Sequence, residues 1–240
     1  MSEIAISVVV PVFNEEKNAG PLHQELIDAL KPLKRNFEII FVDDCSTDGT
    51  QEVLKTLSPI KIIRFRRQFG QSCALDAGIK SAKGDIIITL DGDGQNDPAD
   101  LPRLLAKLTR AEAPTDLGMV AGKRTKRQDN WSKRTASRIA NNIRKAALKD
   151  GADDSGSGVK VFKREAFLRL PYFDHMHRFM AALMLREGYA VEFLEVNHRQ
   201  RSAGRSKYTN LGRLAANMTD LFGVMWLRSR ARLPGGTDEI

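Results

Sequence analysis

The chain has 240 residues with 38 Lys+Arg against 30 Asp+Glu, a net charge of +8, and is 42% hydrophobic, 7% aromatic and 28% charged. That make-up excludes a disordered or fibrous chain; at this length roughly 70 to 75% of the unfolded surface can be buried, enough for one large domain with a small appendage. Cys45 and Cys73 lack metal-ligand spacing, which excludes a zinc module or disulfide scaffold, and no apolar run reaches the roughly 18 residues that span a bilayer.

In chain order, the first half alternates strand-like runs with helical patterns. Strands are expected at Ile6 to Phe13, Phe37 to Val42, Ile60 to Phe65, Asp85 to Leu90 and Leu117 to Ala121. Helices are expected at Glu16 to Leu30, Gly49 to Leu57, Gly70 to Ala82 and Pro98 to Leu108, the last opened by Asp97-Pro98. Such alternation predicts an α/β domain with a mostly parallel central sheet. The nearly unbroken Ile/Val content predicts strands buried on both faces. Met1 to Ala5 has no basic n-region, so no signal peptide is expected.

The second half is less regular. Trp131 to Leu148 reads as a basic amphipathic helix, Gly158 to Phe162 as a strand, His175 to Glu187 as a helix and Ala190 to Val196 as a strand. A final helix from about Leu211 to Leu233 carries Leu211, Leu214, Met218, Leu221, Phe222, Met225 and Trp226 at helical spacing and ends in Arg228, Arg230 and Arg232. Core packing and an in-plane membrane helix both fit that stripe. The tail from Pro234 to Ile240 is expected to be loose.

The surplus charge is concentrated. Lys123 to Asp150 holds ten bases and two acids. Either a solvated helix face or an anionic partner explains such a run, the partner being nucleic acid, a phosphorylated substrate or an acidic membrane.

Carboxylates follow the strands, where open α/β sheets bind their ligands. Asp43 and Asp44 open a DDCSTDGT run in which Ser46 and Asp48 read as helix caps. Two adjacent acids exceed what capping needs and suit a ribose or nucleobase. The G-x-G-x-x-G loop of nicotinamide and flavin folds is missing. After the fourth strand, Asp91-Gly92-Asp93-Gly94-Gln95 gathers hard oxygens, which suit Mg²⁺ or Mn²⁺ completed by water and substrate phosphates. An EF-hand is disfavoured, because the sixth position is Asn96 and the twelfth is Pro102.

Pro11-Val12-Phe13-Asn14-Glu15, the DDCSTDGT run and D-G-D-G-Q together resemble family 2 glycosyltransferases of the GT-A fold. Gly122-Lys123-Arg124, Asp154-Ser155-Gly156 and the segment from His198 to Tyr208 resemble the dolichyl-phosphate mannosyltransferase branch, which loads a sugar from a nucleotide onto a polyprenyl phosphate. The resemblance implies a GT-A catalytic domain over residues 1–208, an amphipathic interface helix over 209–233 and a flexible tail over 234–240. It implies that Pro11, Val12, Glu15, Val42, Asp44 and Gly92 surround the donor nucleotide and that Asp91 and Asp93 face its diphosphate. Asp93 and Gln95 would hold Mg²⁺ or Mn²⁺. Arg201 and Lys207 would close over the donor phosphates, and Arg124 with Lys133, Arg134 and Ser137 would hold the acceptor phosphate. Gly156-Ser157-Gly158 and Gln68-Phe69 depart from the family's pattern and bear on the donor sugar.

The chemistry follows from the acceptor. A hydroxyl needs a general base, whereas a phosphate monoester, with a second pKa of about 6, is already anionic at neutral pH. The chain is rich in arginine, and His23, His175, His177 and His198 form no relay, so a structural role is expected for each. The expected protein is therefore an inverting, metal-dependent transferase that moves a sugar from GDP-mannose or a UDP-hexose to a polyprenyl phosphate. It would work peripherally at the cytoplasmic membrane face, with an anionic lipid surface as partner. A hydroxyl acceptor with Asp154 as base is the alternative. A nucleic-acid-binding protein is the remote one, since the basic run offers one aromatic, Trp131, and no stacking platform.

Overall fold

The structure is a computed structural model, and it describes residues 4–124, 144, 147–152, 157–199 and 210–232, the last segment by its backbone alone up to residue 217. Seven strands form one sheet: β1 (Ile6–Val12), β2 (Phe37–Asp43), β3 (Lys61–Arg64), β4 (Ile86–Thr89), β5 (Leu117–Arg124), β6 (Lys160–Lys163) and β7 (Ala190–Val196). Their spatial order is β3-β2-β1-β4-β6-β5-β7. β6 runs antiparallel to β4 and β5, and every other pairing is parallel.

The chain winds outward from β1 in one direction to β2 and β3, then crosses to β4 on the other side. That reversal between β1 and β4 opens a crevice at their carboxyl ends, where doubly wound sheets place ligands. The loops after β1, β2 and β4 all lead into it.

Burial on both sides of the sheet explains the unbroken apolar runs. Alternate residues of β1 divide between two cores. Val9 joins Ile40, Val42, Leu75, Ile79 and Phe162 on one face. Val8 and Val10 join Leu22, Leu26, Phe41 and Leu104 on the other. The first face is covered by α3 (Gln71–Ser81) and α6 (Met180–Arg186), the second by α1 (Glu16–Leu30), α2 (Thr50–Thr56) and α4 (Leu101–Thr109). β3 departs from the expectation of two-sided burial. It is the sheet's edge, so Lys61, Ile62 and Arg64 are exposed.

Two further expectations are corrected. The helix expected from His175 to Glu187 is a tight turn over Met176–Arg178 followed by α6, because His175 adopts a left-handed backbone (φ 66°) in which no helix begins. The strand expected from Gly158 starts two residues later, at Lys160. A short helix, α5 (Arg164–Leu168), was not anticipated. Most of the helix expected over residues 131–148 lies outside the described residues, although Arg144, Ala147 and Leu148 are helical.

Arg144 changes the picture of the basic run. Its guanidinium is buried against Asp150, with Nη1 to Oδ2 at 2.6 Å and Nη2 to Oδ1 at 3.2 Å, and it also donates to the Ala152 carbonyl. One base and one acid of that run therefore form an internal clasp rather than a surface. Removing either partner of such a pair would strand a buried charge at a cost of about 3–5 kcal/mol.

The last helix, α7 (Asn210–Ser229), divides its apolar residues between two directions. Leu221 and Val224 are buried in the core beside α6, while Met218, Phe222, Met225 and Trp226 are exposed, Phe222 by 62% and Trp226 by 59%. His175 Nδ1 lies 2.9 Å from Asp220 Oδ2, and Arg186 Nε donates to the Leu227 carbonyl, so α7 is also held by polar contacts.

Candidate active site

The crevice is built from three loops that brace one another. The loop after β2 satisfies the backbone at the start of α1. Asn14 N–H donates to Ser46 Oγ, Glu15 N–H to Thr50 Oγ1 and Glu16 N–H to Asp48 Oδ2. Ser46 thus braces the entry to a helix some thirty residues earlier in the chain, and Asp48 serves both that helix and the start of its own, where it accepts from Thr50 N–H. The two aspartates that precede them have separate duties. Asp43, fully buried, accepts from Ser46 N–H. Asp44 accepts from the N–H groups of Phe69 (2.7 Å) and Gly70 (2.8 Å), which fixes the chain at the entry to α3.

The Asp91–Gln95 turn is equally constrained. Asp91 N–H donates to Asn96 Oδ1 and Gln95 N–H to Asp93 Oδ1, a local turn that the alternation of Asp and Gly makes possible. Asp97 caps the following turn through Ala99 N–H, and Asp100 accepts from Asn197 N–H at 2.6 Å. Arg199 closes the assembly. Its two terminal nitrogens bind Glu25 and Asp97, and its N–H donates to the Gln95 carbonyl. Asn96 also pairs with His198 as an isolated bridge. Asn96, Asp97, Asp100 and Arg199 therefore hold the acidic turn in place. The sequence offered the Asp97-Pro98 cap and, by resemblance, the segment from His198 to Tyr208 as signals for them.

Two glycines owe their place to close approach. A Cβ on Gly92 would sit 2.8 Å from the Pro11 carbonyl and 2.6 Å from Val12 Cγ1, so the turn after β4 presses on the end of β1. A Cβ on Gly158 would sit 2.4 Å from the Asp91 carboxylate. Only hydrogen there lets β6 enter the sheet beside β4 with Asp91 in its present orientation.

Around Asp91 lies a cavity of about 250 Å³, lined by Gln71, Leu75, Thr89, Leu90, Ser157, Gly158, Lys160, His177 and Arg178. Gln71 Nε2 donates to Asp91 Oδ1 at 2.8 Å. Burial first, and the neighbouring Asp93 carboxylate second, push the Asp91 pKa up, while Lys160, the Gln71 bond and Arg124 oppose the rise. Arg124, at the end of β5, is thus within electrostatic reach of Asp91. His177 is held well below its usual pKa by burial and then by the charges of Lys160, Arg178 and His175, so its imidazole is neutral near pH 7.

The chain brings Pro11, Val12, Glu15, Val42, Asp44, Asp91, Gly92, Asp93, Gln95 and Arg124 to the same rim of the sheet. Lys133, Arg134, Ser137, Asp154, Arg201 and Lys207 lie outside the described residues. Gln71, Ser157, Lys160, His177 and Arg178 were not singled out from the sequence as site residues. No group of three or more His, Cys, Asp or Glu suited to a metal occurs among the described residues. The donor set at hand is instead two carboxylates and an amide oxygen, which fits a hard divalent cation sharing its shell with water and phosphate.

The model of the family described as "Glycosyl transferase family 2" matches residues 7–170, which takes in β1 from its second residue, β2 to β6 and the walls of the cavity other than His177 and Arg178. The chain is a member of glycosyl transferase family 2. As a glycosyltransferase it is 33% identical over 244 residues to the dodecaprenyl-phosphate galacturonate synthase of Rhizobium johnstonii, covering 98% of this chain and 70% of that one. It is 32% identical over 225 residues to the undecaprenyl-phosphate 4-deoxy-4-formamido-L-arabinose transferase of Aeromonas hydrophila, covering 92% of this chain and 67% of that one. The transferase thus spans about two thirds of the length of these relatives, whose names describe sugar transfer involving polyprenyl phosphates. Its fold is shared with the mannosyl-3-phosphoglycerate synthase of Rubrobacter xylanophilus (TM-score 0.70, 17% identity, 98% of this chain and 79% of that one). It is shared also with the glucosyl-3-phosphoglycerate synthase of Mycobacterium tuberculosis, solved with Mn²⁺ and UDP (TM-score 0.68, 21% identity, 96% and 82%). The expected GT-A architecture is the one observed.

Proposed function

We propose that this transferase moves a sugar from a nucleoside-diphosphate sugar to a polyprenyl phosphate with inversion at the anomeric carbon. The observation that carries it is the braced Asp91–Gln95 turn at the crevice between β1 and β4, with Arg124 and Lys160 electrostatically close to Asp91. The names of the relatives support the acceptor, and the Mn²⁺ and UDP in the fold neighbour support the donor type and a divalent ion.

Pro11, Val12, Glu15, Val42, Asp44 and Gly92 would border the nucleoside. Asp44 keeps that capacity because each carboxylate oxygen accepts more than the one backbone bond it has here. Asp91 and Asp93 would face the diphosphate, with Asp93 and Gln95 as the ligands of Mg²⁺ or Mn²⁺. Bound there, such an ion would neutralise charge on the departing diphosphate. Arg201 and Lys207 are assigned to the same phosphates, and Arg124, Lys133, Arg134 and Ser137 to the acceptor.

An oxygen of the acceptor phosphate attacks the anomeric carbon, the bond from that carbon to the donor's phosphate oxygen breaks, and the nucleoside diphosphate leaves with the electron pair. The acceptor oxygen carries its own negative charge, so no protein base is required. The protein's work is to hold two anions that repel each other, through fixed cations on either side of the reacting carbon.

The exposed Met218, Phe222, Met225 and Trp226 of α7, followed by Arg228, Arg230 and Arg232, would place the chain on an anionic lipid surface where the acceptor resides. No described helix is long and apolar enough to cross a membrane.

The test is a panel of labelled GDP- and UDP-sugars given to the full chain with Mn²⁺ and a short polyprenyl phosphate, counting sugar that enters the organic phase. One donor transfers, and both chelator and Asp93→Ala reduce the signal at least a hundredfold, the scale of a lost electrostatic contact to a leaving group. Undiminished transfer by Asp93→Ala would overturn the assignment.

A further inference from the structure

The cavity beside Asp91 offers more hydrogen-bonding capacity than the described protein consumes. Ser157 is 2% exposed, yet its Oγ has no hydrogen-bond partner among the described residues. Ser72, 1% exposed in the first turn of α3, lies with Oγ 2.7 Å from His177 Nδ1. That bond engages one ring nitrogen and fixes the plane of the imidazole. Nε2 is left as the polar atom with which His177, a wall of the cavity, can meet a ligand. Buried polar groups are normally satisfied. A wall that keeps an unmet hydroxyl and a half-used imidazole is suited to a ligand that brings its own donors and acceptors.

We infer that His177, oriented by Ser72, is a specificity-determining residue that reads a hydroxyl of the transferred sugar, with Ser157 as a second contact. The inference rests on the proposed transfer reaction and names the part of the donor that this cavity takes. About 250 Å³ is below the range of pockets for drug-sized ligands, so it suits one sugar ring and not the whole nucleotide. Asp91 borders both this cavity and the turn assigned to the diphosphate, which puts the ring next to its leaving group. A sugar hydroxyl both donates and accepts, so it matches either tautomer that Ser72 imposes on the ring. The groups facing His177 are Lys160, Arg178, His175 and Asp91. The three bases help to keep it uncharged, so discrimination should be flat between about pH 6 and 8.

The experiment measures two quantities on the full chain with Mn²⁺. Calorimetry gives the affinities for UDP, GDP and the epimeric donors UDP-glucose, UDP-galactose and GDP-mannose. Transfer to undecaprenyl phosphate gives kcat/KM for each donor. His177→Leu should lower kcat/KM for the preferred donor by about 10- to 100-fold, the scale of one or two hydrogen bonds. It should also narrow the ratio between epimers to a few fold and leave the affinity for the free nucleotide unchanged. Ser72→Ala, which frees the ring, should fall between wild type and His177→Leu. His177→Gln, which retains a neutral donor and acceptor, should recover part of the preference and controls for folding. Equal losses for nucleotide and sugar nucleotide, or an unchanged epimer ratio in both His177 variants, would overturn the inference. Failure of the wild type to load polyprenyl phosphate from any donor would instead overturn the proposed acceptor. The epimer preference would then still be read from the calorimetry, where its absence in the wild type or persistence in His177→Leu refutes the role of His177.

Discussion

Gly158 and Asp91 depend on each other, because the Asp91 carboxylate occupies the space that a side chain at position 158 would need. With a Cβ at position 158 the Asp91 carboxylate would have to turn away or β6 would have to withdraw from β4. Gly158→Ala should therefore lower kcat by at least tenfold in a transfer assay while donor KM changes little, because the residues proposed to border the nucleoside, at the ends of β1 and β2, are untouched. Wild-type kcat in that variant would show that Asp91 is not held where the chemistry needs it. The acids of this turn were legible in the sequence, since Asp-Gly-Asp-Gly-Gln after a strand states both ligand type and turn. The cavity's other walls were not. Ser157 and Lys160 enter with β6 and His177 with the turn before α6, and the antiparallel entry of β6 and the left-handed backbone at His175 bring them to Asp91. A lone histidine carries no spacing from which that meeting can be read.

Elements differ in how far their pattern determines their place. β1, β2 and β4 are read almost to the residue because burial on two faces demands uninterrupted apolar runs. β3 shows the limit, for a similar run of Ile sits at an exposed edge. α7 shows another, since its apolar residues fit a core helix and an interface helix equally and in fact serve two directions. Leu221 and Val224 pack inward, and Phe222 and Trp226 face out beside Arg228, Arg230 and Arg232. On phosphatidylglycerol vesicles the chain should co-sediment, more weakly as salt rises. Phe222→Glu combined with Trp226→Glu should reduce partitioning at least tenfold without loss of Tm, as neither side chain is in the core. Vesicle binding that survives the double variant, or concentration-dependent dimerisation that the double variant abolishes, would contradict a lipid role for this face.

Across the whole molecule, two kinds of charge are set in order by the fold. Carboxylates collect at the carboxyl ends of β2 and β4, and Lys123 and Arg124 stand at the end of β5. The +8 surplus fitted a solvated helix face as well as an anionic partner, and it did not say which of its bases are surface. Arg144 proved to be spent on Asp150, which no composition count can reveal. Family membership and architecture could be read because the motifs fall at successive strand ends, in the order the sheet requires. The acceptor could not be read from the described residues alone, since its proposed ligands include Lys133, Arg134 and Ser137. The central claim is that the attacking oxygen arrives already charged. The direct measurement offers the transferred sugar to a polyprenyl phosphate and to the matching polyprenol, with wild type and with Asp154→Asn. The phosphate should be glycosylated and the alcohol ignored, and Asp154→Asn should cost no more than about tenfold. Transfer to the alcohol, with Asp154→Asn lowering it by the 10²- to 10⁴-fold typical of a lost general base, would contradict the account.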